Sequence, residues 1–147
     1  MRPRWLLAAL ALVIACDSTV ESQLESQLWK ELDIQNYQFQ YTVACFCGFT
    51  GPNPALITVR AGQVTKVEAV DSAAAGPVTG PQRTWPTIDS LFALVERTRL
   101  TNPAVLKVEY DETYHYPKSI YIDQADKVAD DEITYKVDHF TLLSPPK

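Results

Sequence analysis

The apolar residues recur with two different periods, and the change of period divides the chain into helices and strands. A first set of aliphatic residues recurs at steps of four and is accompanied by Trp29: Val20, Leu24, Leu28 and Leu32. This spacing predicts an amphipathic helix whose apolar stripe lies on a sheet. Ser18-Thr19-Val20-Glu21 has the spacing of a capping box, so we expect the helix to begin there.

From residue 37 the period changes to two, which is the period of a β-strand with one buried face. The odd positions are Tyr37, Phe39, Tyr41, Val43, Cys45, Cys47 and Phe49. A loop rich in Gly and Pro follows at residues 48–54. Residues 56–60 and 64–70 predict two more strands, joined at Ala61-Gly62 by a hairpin that uses the positive φ available to glycine. The three strands together predict an antiparallel meander.

The second half repeats this order of elements. Residues 71–86 have no periodicity and predict a long loop. Thr87 is the expected N-cap of a second helix with apolar positions Ile88, Leu91, Phe92 and Val95. Strands are predicted at residues 105–110, 119–123 and about 132–142. We therefore predict an α+β fold, in which a mostly antiparallel sheet of about six strands in α-βββ-α-βββ order carries both helices on one face.

The N-terminus has the pattern of an export signal. Arg2 and Arg4 precede an apolar run at residues 5–15, which is shorter than the 20 or so residues that span a bilayer. The run ends in Val13-Ile14-Ala15-Cys16, which resembles the lipobox of bacterial lipoproteins. This resemblance implies cleavage before Cys16 and acylation of that residue. The predicted organisation is a signal peptide at 1–15, a lipidated anchor and tether at 16–18, one domain at 19–143 and a flexible tail at 144–147.

The charge of the chain bears on its partners. The net charge is −5, and loss of Arg2 and Arg4 with the signal peptide would leave 11 basic and 18 acidic side chains, a net −7. Such a surface repels phosphate backbones, so we expect no nucleic acid partner. It is not attracted to anionic lipid either. The predicted attachment is to a membrane of the bacterial cell envelope through the lipid on Cys16, with the domain exported to the periplasmic or extracellular side.

The Cys45-Phe46-Cys47 triplet is the sharpest chemical feature. Export would place it in an oxidising compartment, where neighbouring cysteines can join. Residues i and i+2 of a regular strand are about 6.6–6.8 Å apart, and their Cβ atoms are too distant for a disulfide. A Cys45–Cys47 bond therefore requires a kink. Three interpretations stay open: a structural pair, bridged or merely buried; a redox pair; and a metal site completed by His115 or His139.

No combination of residues indicates catalysis. His115 lies in a predicted turn and His139 near the end of the last strand, and nothing in the sequence brings either to a cysteine nucleophile. The acidic residues at 123–132 do not follow the EF-hand pattern, because Val128 stands where that loop requires glycine. We expect no catalytic residue and no cofactor, and the only candidates left for a metal are Cys45, Cys47, His115 and His139.

The chain resembles a family of uncharacterised bacterial lipoproteins that carry a domain of unknown function. The motifs that support this resemblance are Trp29 followed by Tyr37 and Tyr41, Cys45-Phe46-Cys47, the hairpin at 59–64, Thr87-Ile88-Asp89 with Leu91-Phe92, Tyr116-Pro117 before Ile120-Tyr121-Ile122-Asp123, and Asp131-Glu132. The resemblance covers nearly all of the chain after Cys16. It implies an architecture and a location, and no activity.

The sequence therefore favours a membrane-anchored lipoprotein of the cell envelope that serves as a non-enzymatic binding or accessory module, with an envelope protein as a candidate partner. The alternative is a thiol-redox or metal-handling envelope protein that uses Cys45 and Cys47. The state of these two cysteines separates the alternatives, because only a pair that cycles or retains metal supports the second.

Overall fold

The structure is a computed structural model of the chain, and it describes residues 18–49, 51–71 and 85–144. The predicted signal peptide, Cys16, most of the predicted loop at 71–86 and the last three residues lie outside the described residues. The elements are α1 (Ser18–Glu31), β1 (Tyr37–Cys45), β2 (Ala55–Arg60), β3 (Gln63–Ala69), α2 (Ile88–Leu100), β4 (Val105–Tyr110), β5 (Pro117–Asp123) and β6 (Ile133–Leu142). This order confirms the predicted α+β fold.

The six strands form one antiparallel sheet in the order β3-β2-β1-β6-β5-β4. Each half of the chain supplies a three-stranded meander, as the short connections require. The two meanders join at the centre of the sheet, where β1 pairs with β6. The first and last strands of the chain are therefore neighbours.

One face of the sheet carries the core. In β1 the buried residues alternate with half-buried ones, and opposite them the register places the buried residues of β2. Helix α2 covers this face with the residues that its period predicts: Ile88, Leu91, Phe92 and Val95. Its N-terminus is capped twice, because Thr87 Oγ1 accepts from the Ser90 amide at 3.2 Å and the Tyr37 hydroxyl accepts from the Ile88 amide at 3.0 Å. Burial raises the pKa of Tyr37, as expected for a phenol held in the core.

Helix α1 also lies on this face, but the prediction of which side it buries is wrong. Trp29 is 3% exposed and Ser22 is 1% exposed, whereas Val20, Leu24 and Leu32 are 62%, 52% and 45% exposed. The aliphatic stripe thus faces away from the sheet. The buried side is narrow, and it consists of one large aromatic ring and polar residues that bond to the rest of the domain.

A β-bulge in β6 completes the core around Trp29. Gln38 of β1 pairs with Thr141 and Gln40 with Asp138, so two residues of β6 lie opposite one of β1. His139, at φ 51°, is the residue that absorbs the extra length. The bulge turns Phe140 onto the helix side, where its ring centroid lies 4.7–6.0 Å from four aromatic rings: Trp29, Tyr37, Tyr114 and Tyr116.

Candidate functional site

The disulfide at the end of β1 marks one border of the candidate site. Cys45 and Cys47 are bonded to each other, and their Cα atoms are 5.2 Å apart. Two residues of a regular strand would be about 6.6–6.8 Å apart, so the chain has left the strand geometry here. The strand ends at Cys45, and two residues separate this end from the predicted loop at 48–54. Gly48, at φ 60°, takes the left-handed conformation that reverses the chain.

The side chain of Asn53 fixes the base of this disulfide loop. Its Oδ1 accepts from the Val43 amide at 3.0 Å, and its Nδ2 donates to the Val43 carbonyl at 2.7 Å. These are the two bonds that a residue on a neighbouring strand would make. Strand β2 begins only at Ala55, opposite Tyr41, so the carboxamide of Asn53 continues the ladder by one more pair.

Beside the loop, an open groove of about 680 Å³ runs between α2 and the sheet. We call it the aromatic groove. It is lined by Tyr41, Phe49, Gly62, Gln63, Val64, Trp85, Pro86, Thr87, Ser90, Leu91, Leu94, Arg97 and Tyr135. A volume of this size is that of a small-molecule site, and sites of this kind combine apolar walls with a few polar groups.

Four aromatic rings form the walls of the groove: Tyr41, the two rings that contact it, and Phe49 beside Trp85. Tyr41 and Tyr135 stack with centroids 6.2 Å apart and planes 13° apart. Trp85 meets Tyr41 edge to face at 6.5 Å, and Phe49 meets Trp85 in the same way at 6.1 Å. Such edge-to-face contacts hold rings in fixed positions, so the walls are set before any ligand arrives.

Polar groups lie along the helix side of the groove. Arg97 supplies the only positive charge among the described lining residues, and Thr87 and Ser90 supply hydroxyl groups, while the amide group of Gln63 comes from β3. Aromatic faces attract flat or apolar surfaces, and a guanidinium binds acceptor oxygens or an anionic group. The groove can therefore hold a ligand that has one planar or apolar part and one acidic or acceptor-rich edge.

The two predicted cysteines are close to the groove but do not line it. Cys45 contributes instead to a second, shallower depression of about 550 Å³ whose lining also includes Phe46 and Asn53. Phe46, between the cysteines, is 84% exposed. Phe49 belongs to both surfaces, so the disulfide loop and the aromatic groove form one continuous region.

The structure does not bring the histidines to this region. His115 lies in the β4–β5 connection, where its Nδ1 is 2.8 Å from Glu25 Oε2 of α1. His139 is exposed at the bulge of β6. Among residues 18–49, 51–71 and 85–144, no three side chains of His, Cys, Asp or Glu are grouped in a way that could hold a metal ion.

The acidic segment after β5 has an electrostatic signature of its own. Desolvation, together with the neighbouring carboxylates of Asp131 and Glu132, raises the pKa of Asp123. Part of this shift thus comes from like charges that lie close together. A cluster of carboxylates is not by itself a cation site, and this segment lacks the ligand spacing and the glycine of an EF-hand.

Sequence reasoning missed three residues of the aromatic groove: Trp85, Tyr135 and Arg97. Trp85 lies near the end of a segment without periodicity, Tyr135 is a strand tyrosine of the kind that usually serves packing, and Arg97 suits the C-terminus of a helix. The signal that could have pointed to Trp85 and Tyr135 is the number of aromatic residues in the sequence. The pairing of β1 with β6 is what puts Tyr135 beside Tyr41.

No helix in the described part of the chain has both the length and the hydrophobicity needed to cross a bilayer. No curated protein and no solved structure matches the sequence. Residues 21–142, which contain both helices almost completely and all six strands, match a family of unknown function. The chain belongs to this family, DUF6174.

Proposed function

We propose that the protein is a membrane-anchored lipoprotein of the bacterial cell envelope that works as a non-enzymatic binding module, and that the aromatic groove is its ligand site. The observation that carries the binding role is the groove itself, with its preset aromatic walls and the guanidinium of Arg97. The anchor is proposed from the sequence at Cys16, where the charged start, the apolar run and the lipobox follow one another.

The groove selects a chemical class of ligand. Tyr41, Trp85 and Tyr135 offer ring faces and edges for a planar or apolar group, and Arg97 offers a charge-assisted hydrogen bond at one side. The protein as a whole is acidic, so an anion would be repelled from most of its surface and attracted near Arg97. The favoured ligand is a small molecule or a peptide segment with an aromatic or aliphatic body and an anionic edge.

We expect the dye 8-anilinonaphthalene-1-sulfonate, which combines two ring systems with a sulfonate, to bind the aromatic groove. The measurement is a fluorescence titration of residues 17–147, which contain every residue that lines the groove. Trp85→Ala should weaken binding by about tenfold, since the loss of one aromatic wall costs roughly 1–1.5 kcal/mol. Arg97→Gln should weaken binding of this dye but leave binding of its uncharged analogue N-phenyl-1-naphthylamine unchanged.

The matched control is Phe46→Ala. Phe46 is the most exposed large aromatic side chain of the described residues, and it lies on the disulfide loop outside the groove. Unchanged binding in this variant separates the groove from nonspecific attachment to exposed rings. Equal losses in the Phe46 and Trp85 variants would remove the groove as the ligand site.

A second candidate function is a thiol–disulfide role for Cys45 and Cys47. Two observations favour this role. The two cysteines are bonded to each other, and the disulfide lies at the surface, since Cys47 is exposed and Cys45 half-buried. A ring closed by so few residues removes little entropy from the unfolded chain, so the bond gives the fold little stability. A bond that stabilises little can be opened and closed without unfolding the domain.

One measurement tests the anchor and separates the two functions. Mass spectrometry of the full chain, expressed in and purified from a bacterial host, should find the mature protein beginning at an acylated Cys16. For a binding module, the Cys45–Cys47 bond stays oxidised throughout growth. A mixture of dithiol and disulfide that responds to loss of the host's envelope thiol oxidase would instead establish the redox role. An unmodified Cys16 would refute the anchor.

A further inference from the structure

We propose that the aliphatic stripe along α1 and the turn after it, formed by the exposed Val20, Leu24 and Leu32 and the half-buried Leu28, lies on the surface of the lipid bilayer and sets the orientation of the domain on it. This proposal rests on the proposed lipid anchor at Cys16. It adds to that anchor a second contact with the membrane, made by the protein itself.

The stripe is apolar surface that the fold leaves uncovered. Val20 and Leu24 are more than half exposed, and Leu32 nearly so, on a helix whose opposite side carries the almost fully buried Trp29. Three of the large hydrophobic side chains that the described residues expose belong to this one helix and the turn that follows it. Exposed aliphatic residues that adjoin one another, rather than scattered ones, mark an interaction surface.

The rest of the domain holds α1 in this orientation. Arg99 Nη1 lies 3.2 Å from Ser18 Oγ and 3.0 Å from Thr19 Oγ1, which ties the first turn of α1 to the end of α2. Further along, Ser22 Oγ donates to Glu96 at 3.1 Å.

A third contact joins the middle of the helix to the β4–β5 connection, where Glu25 lies 2.8 Å from His115. To bury the stripe, α1 would have to rotate and break all three polar contacts together with the packing of Trp29. The stripe therefore stays outside in the folded domain.

The position of the stripe identifies the lipid surface as its partner. The helix begins at Ser18, two residues after Cys16, and two residues of chain span at most about 7 Å. A lipid on Cys16 would thus hold the first turn of α1 within one headgroup layer of the bilayer. An amphipathic helix buries its apolar face about 5–10 Å into the boundary between headgroups and acyl chains, and the stripe begins at Val20 in that first turn.

The spacing of the stripe argues against a second helix as its partner. Steps of four advance by about 40° around a helix, so four residues at such steps cover an arc of about 120°. A helical partner requires alternating steps of three and four, which keep a narrow seam straight. A broad apolar arc therefore fits the fluid surface of a bilayer better than it fits a single helix. Glu21 and Glu31, on the same side of the helix, favour uncharged lipid headgroups over anionic ones.

The test uses the chain from Cys16 to Lys147 coupled through the Cys16 thiol to a maleimide lipid in phosphatidylcholine nanodiscs. Cys45 and Cys47 are bonded to each other, so Cys16 is the thiol that reacts. With 5-doxyl phosphatidylcholine present, the methyl signals of Val20, Leu24 and Leu32 should lose most of their intensity. Val70, at the far edge of the sheet and 44% exposed, is the internal reference and should keep its intensity.

Broadening of the stripe no greater than that of Val70 would overturn the proposal. So would a dimer, seen by sedimentation of the uncoupled domain and lost in the Leu24→Ser variant, because the partner would then be a second copy. The chemical tether replaces the cellular lipid, so this result does not depend on whether the cell acylates Cys16. An unmodified Cys16 in the native protein would refute the anchor, while broadening here would still show that the stripe contacts lipid.

Discussion

Replacing Trp29 with alanine is expected to lower the free energy of unfolding by about 3–5 kcal/mol, the usual cost of removing a large buried aromatic ring. The ring is 3% exposed and meets the rings of Tyr37 and Phe140 edge to face, with centroids 5.6 and 6.0 Å away. It is also the only large apolar side chain of α1 that is buried. Urea unfolding followed by far-ultraviolet circular dichroism measures the loss without relying on tryptophan fluorescence.

Leu24→Ala is the matched control on the opposite side of the same helix. Both changes end in alanine, the residue with the best helix propensity, so the comparison isolates packing. Leu24 is 52% exposed, and we expect a change within about 0.5 kcal/mol. A helix that rested on its aliphatic stripe would give the reverse order, with a loss of about 2–5 kcal/mol for Leu24. Equal losses would also contradict the observed orientation of α1.

Asn53→Ala is expected to cost about 2–6 kcal/mol, because it leaves two partly buried backbone groups of Val43 without partners, at roughly 1–3 kcal/mol each. The amide and carbonyl of Val43 bond to the two ends of the same carboxamide, at 3.0 and 2.7 Å. The same urea experiment measures this loss. Hydrogen exchange should also show faster exchange of the Val43 amide, since its acceptor is gone.

Asn53→Asp tests whether both ends of the carboxamide matter. The carboxylate keeps the acceptor but places a negative charge against the Val43 carbonyl, so this variant should be destabilised at neutral pH. Protonation restores a donor, and the pKa of the introduced carboxyl should therefore be higher in the folded than in the unfolded state. The deficit in stability would then shrink as pH falls through that raised pKa. A deficit that does not change between about pH 7 and pH 4 would mean that the donor bond contributes nothing.

The sequence was sufficient to predict the order of the elements, because both periods are sustained over whole elements and Gly, Pro or Thr punctuates their ends. In α2 the apolar residues follow one helical face, and Thr87 caps it as predicted. In α1 the same rule failed. Its buried side includes Ser22 and Glu25, which bond to Glu96 and His115, and both partners are distant in sequence. A hydrophobic pattern carries no information about a face that is held by polar contacts.

The aromatic groove and the packing of Phe140 depend on geometry that no local pattern records. Period two would place Phe140 on the opposite face from Val137, and only the bulge at His139 moves it into the core. The bond between Cys45 and Cys47 was left open by the sequence for a similar reason. It depends on where β1 stops, and that depends on Asn53 and Gly48 rather than on the alternating residues that precede them.

The pairing of β1 with β6 affects how the chain reaches its folded state. Of the two central strands, β1 is made first and β6 is made last, so one edge of β1 stays unpaired until the end of the chain has been made. If the anchor at Cys16 forms first, the first meander waits at the bilayer with an unpaired strand edge, a template for wrong pairing between chains. The 10 residues of β6 then complete the sheet by pairing with this edge. Because β6 is made last, the pairing of β1 with β6 at the centre of the sheet, rather than the pairing of either outer strand, is the step of folding most prone to wrong pairing between chains.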